Sequence, residues 1–260
     1  MSTQDKDNLK DLKRPDENIV GAAQKAAKAE SAPAPVRRYR TLLFQGTLIV
    51  VICTFAALTL LASTTAYFPI DLKLTLALQS INFPFFAGLM SLISWAGFSP
   101  QSLIVSALFV VMLYGFGYHW ESVMAALGVG FVQGLNTLVK IVIHRPRPAA
   151  DLVNVVNQIN SFSFPSGHVM FYTGFFGFLW FLAYTLLKRS WLRTFLLVIF
   201  GIHVILIGAS RVYLGEHWPS DVIGAYLLGF LALVVIIQVY RWGKTRFFVH
   251  QPTAPEPKNS

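Results

Sequence analysis

The chain has 260 residues, of which 55% are hydrophobic and only 13% charged, and its mean hydropathy is +0.56. A soluble domain carries roughly 25% charged residues, so apolar residues gathered into long uninterrupted runs exclude an ordinary globular core and point to a membrane protein. The formal charge of +9 does not mark a nucleic-acid binder, because the basic residues flank the apolar runs and form no single stripe with interleaved aromatics. Cys53 stands alone inside the first apolar run, which excludes an internal disulfide, and no Cys/His spacing suits zinc.

Residues 1–40 are expected to form a disordered, basic cytoplasmic tail with no apolar core of the kind a cleavable signal peptide carries, ending in Arg37, Arg38 and Arg40. A membrane domain is expected over 41–242, and a polar, Pro-containing cytoplasmic tail over 243–260. A crossing needs about 20 apolar residues, with a range of roughly 17–25. Candidate spans lie at Thr41–Tyr67, Ser102–Tyr118, Ser122–Ile143, Val169–Leu187, Trp191–Ile207 and Val222–Tyr240.

The stretch Asp71–Phe98 is apolar in places but broken by Asn82, Pro84, Gly88, Ser91, Ser94 and Gly97. It reads either as a seventh span or as a pair of short helices in the membrane interface. Charge bias decides between them. With six spans the clusters Arg37/Arg38/Arg40, Lys188/Arg189/Arg193 and Arg241/Lys244/Arg246 share one side, as the positive-inside rule requires. The expected fold is therefore all-α: a polytopic membrane protein, a six-transmembrane-helix bundle with a short amphipathic helical segment between spans 1 and 2, and both termini cytoplasmic. Gly130 and Gly134 form a small-xxx-small pair that reads as close helix packing.

Up-and-down threading brings the unusual polar residues to one face. The third span ends in Lys140, His144, Arg145, Arg147 and Pro148, and the fourth opens after Pro165, Ser166, Gly167 and His168. The fifth ends in Ser210 and Arg211, and the sixth opens after Glu216, His217 and Trp218, with Asp221 close behind. A lysine like Lys140, taken alone, reads as a side chain snorkelling to the interface. Three cations on one side repel one another unless an anion sits between them, and phosphate fits, since Arg offers paired donors and Lys a point charge. Ser166 and Gly167 begin a helix, where free N–H groups and the positive dipole end form an anion cradle; Ser166 also reads as a plain N-cap.

His217 and Asp221 are one helical turn apart. A carboxylate there can bond one imidazole nitrogen, fix the tautomer and leave the other nitrogen as a nucleophile, although an acid in a first helical turn is favoured in any case. His168 is then free to protonate a departing oxygen. Gln133, Asn136, Thr137 and Lys140 form a polar stripe on the third span, read as inter-helix hydrogen bonding. His203 reads as a buried, hydrogen-bonded histidine.

Lys140-x6-Arg147-Pro148, Pro165-Ser166-Gly167-His168 and Ser210-Arg211-x5-His217-x3-Asp221 resemble the three signature motifs of the type 2 phosphatidic acid phosphatase (lipid phosphate phosphatase) superfamily, in its bacterial membrane-bound form. The resemblance covers about Thr41–Tyr240. It implies a six-helix core, no metal, no cofactor and a phosphohistidine intermediate. By motif position, His217 resembles the nucleophile, Asp221 its orienting partner and His168 the general acid. Lys140, Arg147, Ser166, Gly167 and Arg211 resemble the phosphate binders, Ser210 a structural support, and Arg145 and His144 read as wet loop.

The expected substrate is a membrane lipid phosphate or diphosphate (phosphatidic acid, phosphatidylglycerol phosphate or polyprenyl diphosphate class), cleaved at the extracytoplasmic face of the cell membrane. The expected partners are that lipid and the bilayer, with no nucleic acid. A phosphotransferase using the same histidine and a non-catalytic lipid-phosphate carrier are the competing readings. Vanadate-dependent haloperoxidases have a similar constellation on soluble chains. Substrate discrimination is expected from Asp71–Phe98 and Ala149–Phe162, where no motif is legible.

Overall fold

The computed structural model describes residues 34–248, so the tail readings for 1–33 and 249–260 lie outside the described residues. Among the described residues the secondary structure is helical throughout: α1 (Ala34–Thr64), α2 (Pro69–Gln79), α3 (Phe86–Trp95), α4 (Gln101–Gly115), α5 (His119–Ile143), α6 (Gly167–Leu186), α7 (Trp191–Tyr213) and α8 (Pro219–Phe248). α1 takes in Arg37, Arg38 and Arg40, and α8 continues past 242, so the ends of the expected tails are helical. Five helices (α1, α5, α6, α7 and α8) are long and apolar enough to cross a membrane. The expected second span is α4, whose 15 residues reach about 22 Å at 1.5 Å per residue. That is shorter than a hydrocarbon core of about 30 Å.

The helix ends follow local chemistry. α2 and α8 both open on proline, whose missing N–H costs nothing at that position. α5 stops at His144, which takes the left-handed conformation at φ 52°, and Pro146 and Pro148 prevent continuation. α6 begins directly after Pro165 and contains a π-helical turn over Tyr172–Phe176, one turn beyond His168.

α6 is the central helix. Of its apolar 18-residue stretch 72% is buried, against 6% of the corresponding stretch of α1, and it packs against α5, α7 and α8. α4 lies along α5, α1 lies along α8, and α2 and α3 lean on α7. The core joins Met170, Phe171 and Phe175 of α6 to Met124 and Val132 of α5, Phe200 and Ile207 of α7 and Ala225 and Leu228 of α8. The outer helices expose large apolar residues such as Leu60, Leu61, Leu103 and Val111, the surface a lipid-facing helix presents. The chain is a multi-pass membrane protein.

Asp71–Phe98 folds as the two short helices α2 and α3, not as a further span. α2 is amphipathic in an inverted sense: Asp71 and Thr75 are buried against the protein, while Ile70, Leu74 and Leu76 face outward. A Cβ at Gly130 or Gly134 would meet nothing within 4 Å, so among the described residues the expected close packing does not occur there. Of the polar stripe, Asn136 does bond across helices, donating to the Pro165 carbonyl at 3.1 Å, whereas Gln133 and Thr137 are exposed. His203 is half-buried, with Nδ1 2.7 Å from the Ile199 carbonyl.

α5 and α8 run antiparallel. Glu121 at the start of α5 accepts from Tyr240 Oη at 2.9 Å and pairs with Lys244 at 2.8 Å, both near the end of α8. The opposite end, where α5 and α7 finish and α6 and α8 begin, holds the motif residues. At that end α8 comes flush against the loop before α6: a Cβ at Gly224 would lie 2.4 Å from the Phe164 ring. Gly224→Ala should therefore destabilise the fold by about 1–3 kcal/mol despite its better helix propensity. Thermal unfolding in detergent checks this, and a raised midpoint would contradict the contact.

Candidate active site

Helix geometry brings the motif residues together from four helices and a loop. Lys140 comes from the last turn of α5 and Arg147 from the proline-broken loop after it. Ser166, Gly167 and His168 open α6, Arg211 closes α7, and His217 and Asp221 flank the start of α8. His168 lies within electrostatic range of Arg211, His217, Arg147 and Lys140. A cavity of about 200 Å³ adjoins the cluster on the loop side, lined in part by Arg147, Asn157, Asn160 and Glu216.

His217 is buried, with 1% of its surface exposed. Its Nε2 faces Arg147 Nη1 at 3.1 Å, and its Nδ1 lies 3.4 Å from Ser163 Oγ and 3.6 Å from Asp221 Oδ2. The last distance exceeds a hydrogen bond, so Asp221 does not bond the imidazole directly as the turn spacing alone suggests. A guanidinium has donors only, which makes Nε2 the acceptor and puts the ring proton on Nδ1. Burial holds the His217 pKa well below the ordinary histidine value, and the cations Arg147, Lys140 and Arg211 push it the same way. The Ser163 backbone carbonyl, accepting from the ring, opposes them. The result is a neutral imidazole whose Nε2 lone pair points into a basic pocket.

The cations are held by neutral carbonyls, two serine hydroxyls and one acid. Arg147 donates to the carbonyls of Ser161 at 2.7 Å and Glu216 at 2.6 Å and to Ser161 Oγ at 2.9 Å, and burial lowers its pKa to about 10. Lys140 Nζ donates to the Phe162 carbonyl. Arg211 is buried, ion-paired with Glu216, bonded to Ser94 Oγ at 2.5 Å and stacked over Phe98 at 5.0 Å.

Ser166 occupies the N-cap position of α6, yet its side chain caps nothing, and its Oγ is buried without a hydrogen-bond partner. The plain N-cap reading therefore fails for the side chain. His168 Nε2 is likewise buried and unpaired, with Phe98 edge-on to the ring at 4.5 Å. A Cβ at Gly97 would lie 2.3 Å from His168 Cδ2, so only glycine lets the end of α3 close over this histidine. Two orphaned polar groups at the end of the bundle that holds the cations suit an oxyanion, which accepts from hydroxyl and imidazole N–H alike.

The structure corrects one reading outright. Arg145 is not wet loop: its side chain is fully buried. It donates through Nε to the Thr65 and Ala66 carbonyls at 3.2 and 3.1 Å and through Nη1 to Ser220 Oγ at 2.7 Å. It pairs with Asp221 Oδ1 at 2.5 Å and with Asp71 Oδ2 at 3.1 Å. Asp71 in turn accepts from Ser220 N at 2.9 Å and so anchors the start of α8.

Asp71, Ser163 and Glu216 carry no assignment from the sequence. The available signal was a lone acid in the apolar stretch 68–79, since an acid there needs a partner. Arg145→Leu should destabilise the protein by about 3–5 kcal/mol, because it leaves two buried carboxylates without their shared cation. Adding Asp71→Asn should recover part of the loss. Denaturant unfolding in micelles reads both effects, and an unchanged midpoint for the single variant would refute the pairing.

Residues 121–244 match the model of the PAP2 superfamily. The chain is 30% identical over 177 residues to phosphatidylglycerophosphatase B of Bacillus subtilis, covering 66% of this chain and 84% of that protein. It is 33% identical over 132 residues to the undecaprenyl-diphosphatase BcrC of the same organism, covering 48% and 63%. The crystal structure of a transmembrane PAP2-type phosphatidylglycerolphosphate phosphatase from Bacillus subtilis superposes with a TM-score of 0.67 at 27% identity, over 77% of this chain and 98% of that one. With its buried motif residues gathered at one end of the bundle and this extent of likeness, the chain belongs to the PAP2 superfamily.

Proposed function

We propose that this protein is an integral-membrane lipid phosphatase that hydrolyses a phosphomonoester or diphosphate at the extracytoplasmic face through a phosphohistidine on His217. The observation that carries the reading is the neutral, buried imidazole with its Nε2 lone pair directed at Arg147, 3.1 Å away. Binding alone needs cations, and it has no use for an oriented lone pair among them. The relatives include a phosphatidylglycerophosphatase and an undecaprenyl-diphosphatase, and both names describe cleavage of a phosphate on a lipid.

In the proposed reaction Arg147, Lys140, Arg211 and the Ser166–Gly167 turn hold the phosphate oxygens. Nε2 of His217 forms a bond to phosphorus as the P–O bond to the lipid breaks. The bonding pair leaves with the lipid oxygen, which takes a proton from His168. Water then attacks phosphorus, its proton passes to His168, and the N–P bond breaks to return the pair to Nε2. General acid–base help of this kind is worth about 10²–10⁴-fold, and the clustered donors stabilise the equatorial oxygens throughout. The site end faces outward in this reading because Arg37/Arg38/Arg40, Lys188/Arg189/Arg193 and Arg241/Lys244/Arg246 belong on the cytoplasmic side. That arrangement has six crossings, α4 among them.

Purified protein in detergent should release phosphate from phosphatidic acid or a polyprenyl diphosphate in the presence of EDTA, and His217→Ala should lose activity by at least about 10⁴-fold. Full activity in that variant would remove the nucleophile assignment, and binding without release by the wild type would favour a carrier. A phosphate appearing on an added alcohol would favour a transferase.

The rate of His217 phosphorylation should also hold between pH 8 and about pH 6, where an unperturbed histidine with a pKa of about 6.5 would already be mostly protonated. The sign is fixed by the lowered folded pKa, which keeps the neutral form present until the pH falls well below that of a free histidine. Rapid-quench labelling checks this, and a rate that halves near pH 6.5 would contradict it.

A further inference from the structure

His217 and Asp221 sit one turn apart, yet 3.6 Å separates Nδ1 from Oδ2. The Ser163 hydroxyl lies between them, 3.4 Å from Nδ1 and 2.5 Å from Oδ2. The proton directions are forced. Arg147 can only donate to Nε2, so in the neutral ring Nδ1 carries the proton. A carboxylate oxygen can only accept, so the Ser163 proton points to Asp221 and its lone pair is left for Nδ1–H.

We propose that Ser163 is a positioning residue for His217, its hydroxyl linking the imidazole to Asp221. Arg145, locked by Asp71, anchors the far side of that carboxylate. The proposal rests on the reading of His217 as the nucleophile.

The other contacts of the Asp221 carboxylate support this division of labour. Oδ1 is taken by Arg145 at 2.5 Å, and Oδ2 also accepts from Trp218 N at 2.9 Å. The carboxylate is thus pinned from two sides and cannot turn to meet the imidazole. Ser163 is fully buried, and its backbone N–H donates to the Arg145 carbonyl at 2.8 Å, which ties the two ends of the loop between α5 and α6 together.

The chain Asp71–Arg145–Asp221–Ser163–His217 therefore draws on α2, both ends of the α5–α6 loop, the loop before α8 and α8 itself. When Nε2 bonds to phosphorus the ring becomes cationic. The Nδ1 proton stays where it is, and the Asp221 charge reaches it through a polarised hydroxyl. No proton leaves the ring, so the link orients and stabilises without transferring anything.

The test uses full-length protein in mixed micelles, with enzyme in excess over radiolabelled phosphatidic acid so that a single turnover is followed. Ser163→Ala should slow that turnover by about 10- to 100-fold, the usual cost of losing a partner that orients a functional histidine, with KM unchanged within about twofold. Ser163→Cys, which keeps the volume and weakens the donor, should fall between Ala and wild type. In an Asp221→Asn background the same Ser163→Ala change should cost less than about threefold, because the two residues act as one unit.

Wild-type rates in both Ser163 variants would overturn the proposal, since the Ser163 backbone alone would then suffice. So would an undiminished loss in the Asp221→Asn background, or a rise in KM without a fall in turnover. His217→Ala separates the two levels. If it still becomes labelled, the nucleophile reading fails whatever Ser163 does. If it is inactive while Ser163→Ala is as fast as wild type, only the link fails.

Discussion

A guanidinium buried between two carboxylates is the constraint on which the rest of this site depends. Taking an ion out of water costs several kcal/mol even after relaxation, and an attraction between ions offsets it only when the geometry satisfies every donor and acceptor. Arg145 meets that condition: all three of its nitrogens are bonded, to two backbone carbonyls, one hydroxyl and two acids. Because Asp71 belongs to α2 and Asp221 to α8, the cluster fixes the start of the last helix relative to the segment between the first two long helices. Ser163, near the other end of the loop that carries Arg145, is attached to the same arginine through its backbone. Displacing any of these parts would leave an unpaired charge in low-dielectric surroundings.

On that platform the functional end of the bundle divides its charges into two kinds. Arg145 is neutralised by acids and plays no part in the open pocket. Lys140 and Arg147 are held mainly by carbonyls, which orient a cation without cancelling its charge. The imidazole beside Arg147 is kept neutral by burial and by the same cations. A neutral imidazole next to unneutralised cations is a combination that suits the proposed attack on a phosphate, whose charge those cations would attract. Arg211 is intermediate, paired with Glu216 but also stacked on Phe98, so part of its field is already engaged within the protein.

The short helices α2 and α3 connect this chemistry to the membrane. α2 turns Asp71 and Thr75 inward and Ile70, Leu74 and Leu76 outward, the reverse of a helix on a soluble protein. α3 ends where Gly97 and Phe98 close over His168. The segment whose low apolar periodicity made it hard to assign is therefore the one that supplies both the anchor of Asp221 and the cover of the proposed general acid. Its irregularity has a structural use, because Pro84 and the glycines let two short elements fold back against α7 and α8 instead of running across the bilayer.

The linear chain was sufficient to determine the class of fold, the long apolar helices and the convergence of Lys140, Arg147, His168, Arg211 and His217 on one end. Hydrophobic length and alternating threading are one-dimensional properties, so residues at the right ends of successive spans must meet. Five of the helices have spanning length, and the shorter α4 stands where the remaining span was expected. The partners of those residues could not be read in the same way. Arg145 sits two positions from Arg147 in a polar run, and nothing in that run says that one faces a pocket and the other is sealed inside. Ser163 is one of several serines in its loop, and the turn spacing of His217 and Asp221 implied a direct bond that a third side chain in fact interrupts. Which neighbour satisfies a buried donor depends on distances of a few tenths of an ångström between segments more than fifty residues apart, and only the packed tertiary structure sets those distances.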